Sequence, residues 1–164
     1  MKAKNIKGNP SIKKIDYLSL TAKQIDYYFK LFSNLVKKGD WKLELNNDSL
    51  EFVEGYISSA HKTLKVTKKG NFSDYVIDLN IYNGKGKAWY SQFLIAAAGS
   101  FISKLWLKER GGKISKRNFS GIKNATIVAT KNGGVFSPWI WVEKHLFNGD
   151  EDSILTKYNA VKDK

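Results

Sequence analysis

The chain has 164 residues, a formal charge of +13 at pH 7 from 28 Lys or Arg against 15 Asp or Glu, and no cysteine. Lack of cysteine excludes disulfides, thiolate metal sites and cysteine nucleophiles, and fits a cytoplasmic location. A content of 42% hydrophobic and 13% aromatic residues suits a domain with a buried core rather than a disordered chain, and the positive surplus favours anionic partners.

Residues 1–18 read as a flexible basic arm. Lys2, Lys4, Lys7, Lys13 and Lys14 precede the first acid, and Gly8, Asn9 and Pro10 interrupt any regular element. The opening lacks the apolar stretch of a secretory signal. Leu20 to Lys38 has the pattern of an amphipathic helix: Thr21 and Gln24 form a capping box, apolar residues recur at helical spacing from Ile25 to Val36, and Gly39 is the stop.

From Asp40 the period changes to two. Trp41, Leu43 and Leu45 alternate with polar residues, which predicts a strand. Further strands are predicted at Leu50 to Ser58, Thr63 to Thr67 and Tyr75 to Tyr82, joined by short turns as in an antiparallel meander. Ala88 to Arg110 is the longest apolar segment and predicts a buried central helix. Its middle is small (Ala96, Ala97, Ala98, Gly99, Ser100), so a neighbour can approach closely, and Gly111-Gly112 is its stop. The stretch is long enough to span a bilayer, but Ser91, Gln92, Ser100, Ser103 and Lys104 interrupt it, and no membrane partner is expected.

Gly111 to Lys123 reads as a basic loop. Asn124 to Thr130 and Val135 to Glu143 read as a hairpin about Asn132-Gly133-Gly134, with Pro138 marking an edge strand or a bulge, and Glu151 to Tyr158 suggests a short helix. The expected architecture is a single α+β domain over residues 19–146, an antiparallel sheet of about six strands packed on the central helix in the order α-β-β-β-β-α-β-β, followed by a mixed-charge tail over 147–164.

Three stretches are candidate sites. The basic segment offers Lys104, Lys108, Lys113, Lys116, Arg117 and Lys123 to phosphates and Phe119 to a base, with Glu109 the one acid between 104 and 123. Gly84, Lys85, Gly86 and Lys87, between a predicted strand and the central helix, could hold an anion at a helix N-terminus. They match neither a phosphate-binding P-loop, since Ala88 follows Lys87, nor a dinucleotide fingerprint, since the third glycine is missing. Trp139 and Trp141, on one face of the predicted last strand with Phe136, Ile140 and Val142 on the other, suggest an interface with a partner or a second copy.

Catalytic signals are thin. The two histidines, His61 and His145, stand in unlike contexts; no HExxH or GxSxG occurs; and Asp40-Trp41-Lys42 with Glu44 is the lone D-x-K pattern. The sequence therefore reads as a non-enzymatic binding protein without cofactor or metal, engaging nucleic acid or a nucleoprotein complex through a basic face. Alternatives are a small interaction or inhibitor protein of the phage-accessory type that binds an acidic protein partner, and a receptor for a small phosphorylated ligand.

Overall fold

A computed structural model describes residues 15–64 and 86–163. Helix α1 (Ala22–Lys37) and helix α2 (Asn47–Leu64) precede the central helix α3 (Gly86–Arg110). Strands β1 (Lys113–Phe119), β2 (Ile122–Ala129) and β3 (Val135–Phe136) follow, then helix α4 (Pro138–Asn148), a 3-10 turn (Gly149–Asp152) and helix α5 (Ile154–Lys162). The class is α+β, but the described sheet has three antiparallel strands in the order β1-β2-β3, and several predicted strands are helix or coil.

The central helix is as expected, and its Ser91 to Ser103 stretch is buried on every side. Its buried hydroxyls find acceptors locally: Ser100 Oγ donates to Ala96 O at 2.7 Å and Ser103 Oγ to Ser100 O at 2.8 Å. Among the described residues no helix is long and apolar enough to cross a membrane. The small-residue waist does admit a close neighbour, the indole of Trp139, whose Nε1 donates to Ala96 O at 3.2 Å. Helix α1 also follows the sequence reading, with the Thr21–Gln24 capping box in place. Its C-terminal left-handed residue is Asp40 (φ 65°) rather than Gly39.

The first correction falls on residues 41–64. Trp41 to Asn46 is irregular, and the stretch read as a strand at Leu50 to Ser58 belongs to α2. Leu50, Val53, Ile57 and Ala60 are buried and lie at i, i+3, i+7 and i+10, one face of a helix. The start is specified by side chains: Asn46 Oδ1 accepts from Ser49 N at 2.9 Å, and Ser49 Oγ accepts from Glu44 N at 2.9 Å. Trp41 stacks on Phe52 with ring centres 4.4 Å apart, so its half-burial comes from a helix face and not a sheet. Thr63 and Leu64 end α2; the rest of the third predicted strand and all of the fourth lie outside the described residues.

The second correction concerns residues 113–123, which form most of a β-hairpin instead of a loop. Phe119 pairs with Ile122 across Ser120 and Gly121, both at positive φ (50° and 77°), the geometry of a tight primed turn. The third is Val135 to Glu143. Only Val135 and Phe136 pair with β2; Ser137 caps α4 by accepting from Ile140 N at 3.3 Å, and Pro138 takes the first helical position, where it has no N–H to waste.

Where β3 is too short to cover β2, residues 15–20 run alongside it. Thr126 N donates to Leu18 O at 2.8 Å, and Thr126 Oγ1 to Leu20 O at 2.6 Å. Ile15, Tyr17 and Leu20 are buried there, and Ile15 N donates to Gln92 Oε1 on the central helix at 2.7 Å. Residues 1–14, the rest of the predicted arm, lie outside the described residues. Phe147, Ile154 and Tyr158, in the stretch read as a tail, are buried in the same core.

Candidate nucleic-acid interface

From Arg110 to Val142 the chain has six cations (Arg110, Lys113, Lys116, Arg117, Lys123 and Lys131) and no acid. The β1–β2 hairpin carries four of them. Side chains alternate along β1, so Lys113, Ser115 and Arg117 take one face while Ile114 and Lys116 take the other. Ile114 packs against the core. Lys116 extends its ammonium to Ser19 O at 2.8 Å, which holds the 15–20 segment against the sheet. Lys113, Arg117 and Lys123 are exposed and have neither an acidic partner nor a hydrogen-bond acceptor among the described residues. Phe119 is half-buried beside the hairpin turn.

Lys104 and Lys108 belong to a different environment. Lys104 pairs with Asp26 Oδ1 at 2.5 Å and lies 5.5 Å from the centre of the Phe29 ring, while Lys108 donates to Leu45 O at 3.0 Å. Both ammonium groups pin α3 to its N-terminal neighbours. The seven sequence candidates thus divide: Lys113, Arg117 and Lys123 stand free, Phe119 lies next to them, and Lys116, Lys104 and Lys108 make structural contacts.

The tryptophan pair is no exposed platform. On a helix, Trp139 and Trp141 diverge; Trp139 is buried against α3, and Trp141 stacks on Phe136 at 4.5 Å. In the glycine-lysine junction, Gly86 and Lys87 open α3, while Gly84 and Lys85 lie outside the described residues. Lys42 and Glu44 of the D-x-K pattern form a 3.9 Å ion pair at the surface.

The fold brings together two groups that the sequence reading kept apart. His145 is buried; its Nδ1 lies 3.1 Å from Asp152 O and its Nε2 lies 2.8 Å from Ser58 Oγ, which also donates to Asp150 Oδ1 at 2.9 Å. His61 Nδ1 meets Leu146 O at 2.6 Å. These contacts clamp α2 to the corner between α4 and α5. Glu54 reinforces the clamp, accepting from Ser153 Oγ at 2.8 Å and Leu155 N at 3.0 Å. Asp152 is held below the usual carboxylate range chiefly by the Asn148 amide, with Lys157 and Lys144 adding to the effect against partial burial. No motif spacing announces this cluster, because its members are brought together only by the packing of α2 on α4.

A pocket of about 440 Å³ opens between the end of α3, the β2–β3 turn and the last turn of α5. Arg110, Lys131 and Lys162 line it together with Trp106, Thr130 and Val161. Its cations come from three elements, and no local motif joins them.

Comparison with known proteins yields no relative. No protein family, no curated protein and no solved structure gives a significant match to this chain.

Proposed function

We propose that this chain is a non-enzymatic nucleic-acid-binding protein whose β1–β2 hairpin is the contact element. The observation that carries the reading is the hairpin itself: an acid-free pair of strands at one side of the sheet, on which Lys113, Arg117 and Lys123 face solvent without partners among the described residues. Only β1 and the turn are open to a partner, because β2 is buried between its neighbours from Ala125 to Val128; cations on such an exposed edge can reach phosphates without rearrangement of the backbone, and each phosphate neutralised releases counterions. The half-buried Phe119 at the tip adds a ring for stacking on an unpaired base. Acids gather elsewhere: Glu54, Asp150 and Asp152 lie at the corner of α2, α4 and α5.

The test is a salt titration of binding to single- and double-stranded DNA and RNA. For duplex DNA the affinity falls with a log–log slope of about −0.9 per phosphate neutralised. Changing Lys113, Arg117 and Lys123 together to Glu is expected to weaken binding and flatten the slope by about 3. Lys116→Ala, which removes an ammonium already bound to Ser19, is expected to leave the slope nearly unchanged. A triple variant that binds with the parent's affinity and slope would remove the hairpin from this role.

A further inference from the structure

We propose that the pocket between the end of α3, the β2–β3 turn and α5 binds a small organic anion of the diphosphate or phosphate-ester class, independently of the hairpin. Arg110, Lys131 and Lys162 surround this concavity, and none has an acidic partner among the described residues. The carbonyl end of α3 offers partial compensation, but a helix terminus carries only about half an elementary charge. Three full positive charges around one concave surface leave an excess that the low-dielectric wall focuses into the pocket.

The backbone leaves room for the arrangement. Gly111 has φ +72°, and the Lys131 side chain lies where a β-carbon of residue 111 would stand, with Cε 2.3 Å and Nζ 2.8 Å from that position. The missing side chain at Gly111 therefore lets Lys131 lie across the end of α3 next to Arg110. Thr130 supplies a neutral donor. Its Oγ1 accepts from Gly134 N at 2.9 Å, and its own proton has no acceptor among the described residues. Trp106 forms a rigid wall, edge-on to Phe136 and Tyr158 with ring centres 5.0 and 5.3 Å away, and Val161 adds apolar surface. Clustered cations, a hydroxyl donor and an apolar wall suit a ligand with several negative charges and a carbon skeleton. The volume suits a small molecule, whereas the hairpin cations stand on the exposed side of the sheet and outside any such concavity.

Pyrophosphate and ATP serve as probes, titrated calorimetrically at constant ionic strength. Both are expected to bind, and changing Arg110, Lys131 and Lys162 together to Ala is expected to weaken each by about tenfold or more. The Glu variant of Lys113, Arg117 and Lys123 is expected to keep its affinity for both probes. Lys131→Met alone, with the far-ultraviolet circular dichroism of the parent, is expected to weaken binding in the same direction and guards against a misfolded triple variant. The proposal is overturned if neither probe binds, if the pocket variants bind like the parent, or if the hairpin variant loses the probes to the same extent, which would mark diffuse attraction to a basic surface. None of these results bears on the salt slope for nucleic acid, so the two readings fail separately.

Discussion

Gly99 stands at the closest approach of α3 and α4. A β-carbon there would lie 2.3 Å from Cδ1 of Trp139, inside a ring that is itself fully buried and anchored to Ala96 O. Neither ring nor helix can retreat without breaking that hydrogen bond or opening the core. Gly99→Ala, despite the better helix propensity of alanine, is expected to destabilise the protein by about 1 to 3 kcal/mol through overpacking. Chemical denaturation checks this, and an unchanged midpoint would contradict the packing described. Tyr158 makes a second residue-scale prediction. Burial, then its hydrogen bond to Glu109 Oε1 at 2.6 Å and the charge of that carboxylate, push its phenol far above the ordinary range. A raised acid of this kind stabilises the fold fully below the unfolded value, near pH 10, and less as pH climbs past it, because the unfolded chain can ionise where the native one resists. Tyr158→Phe is expected to lose about 1.5 to 3 kcal/mol at neutral pH from the charged hydrogen bond. It should also lose stability less steeply than the parent above pH 10 or so, which melting curves across that range would show.

At the scale of elements, residues 135–143 show how one stretch can favour two structures. Val, Phe, Trp and Ile are strand formers, and Pro138 breaks a ladder, so a bulged edge strand is the natural local reading. The same proline is well placed at the first position of a helix, and Ser137 before it is a good N-cap. Helix wins because its geometry sends Trp139, Val142 and Leu146 to one side, where the narrow waist of α3 receives them. Ser137→Ala is therefore expected to cost about 1 kcal/mol, whereas Ser137→Gly, which also fits this buried cap position, should cost only a few tenths; thermal melts of the two variants make the comparison. Residues 47–64 repeat the lesson with Asn46 and Ser49 as the start signal, masked in sequence by aromatic and β-branched residues at Phe52, Val53, Tyr56 and Ile57.

For the molecule as a whole, the useful quantity is where charge is left uncompensated. The net surplus was legible from composition, and so was the basic run from Lys104 to Lys123. Which of those cations stay free was not. Lys116 is tied to a carbonyl 97 positions away, Lys108 to one 63 positions away, and Lys104 to Asp26 on α1. The pocket escaped sequence reading for the same reason, since Arg110, Lys131 and Lys162 meet only when the sheet turn and the last helix close on the end of α3.

What the sequence by itself determined is chemistry confined to a few neighbouring residues: the Thr21–Gln24 cap, the long, mostly apolar central helix, the glycines that end it, and the excess of positive charge. Tertiary structure decided whether ambiguous apolar runs became helix or strand and which side chains remained available to a ligand. Both depend on burial and on partners far apart along the chain, and a local pattern of residue types carries no record of the distance between them.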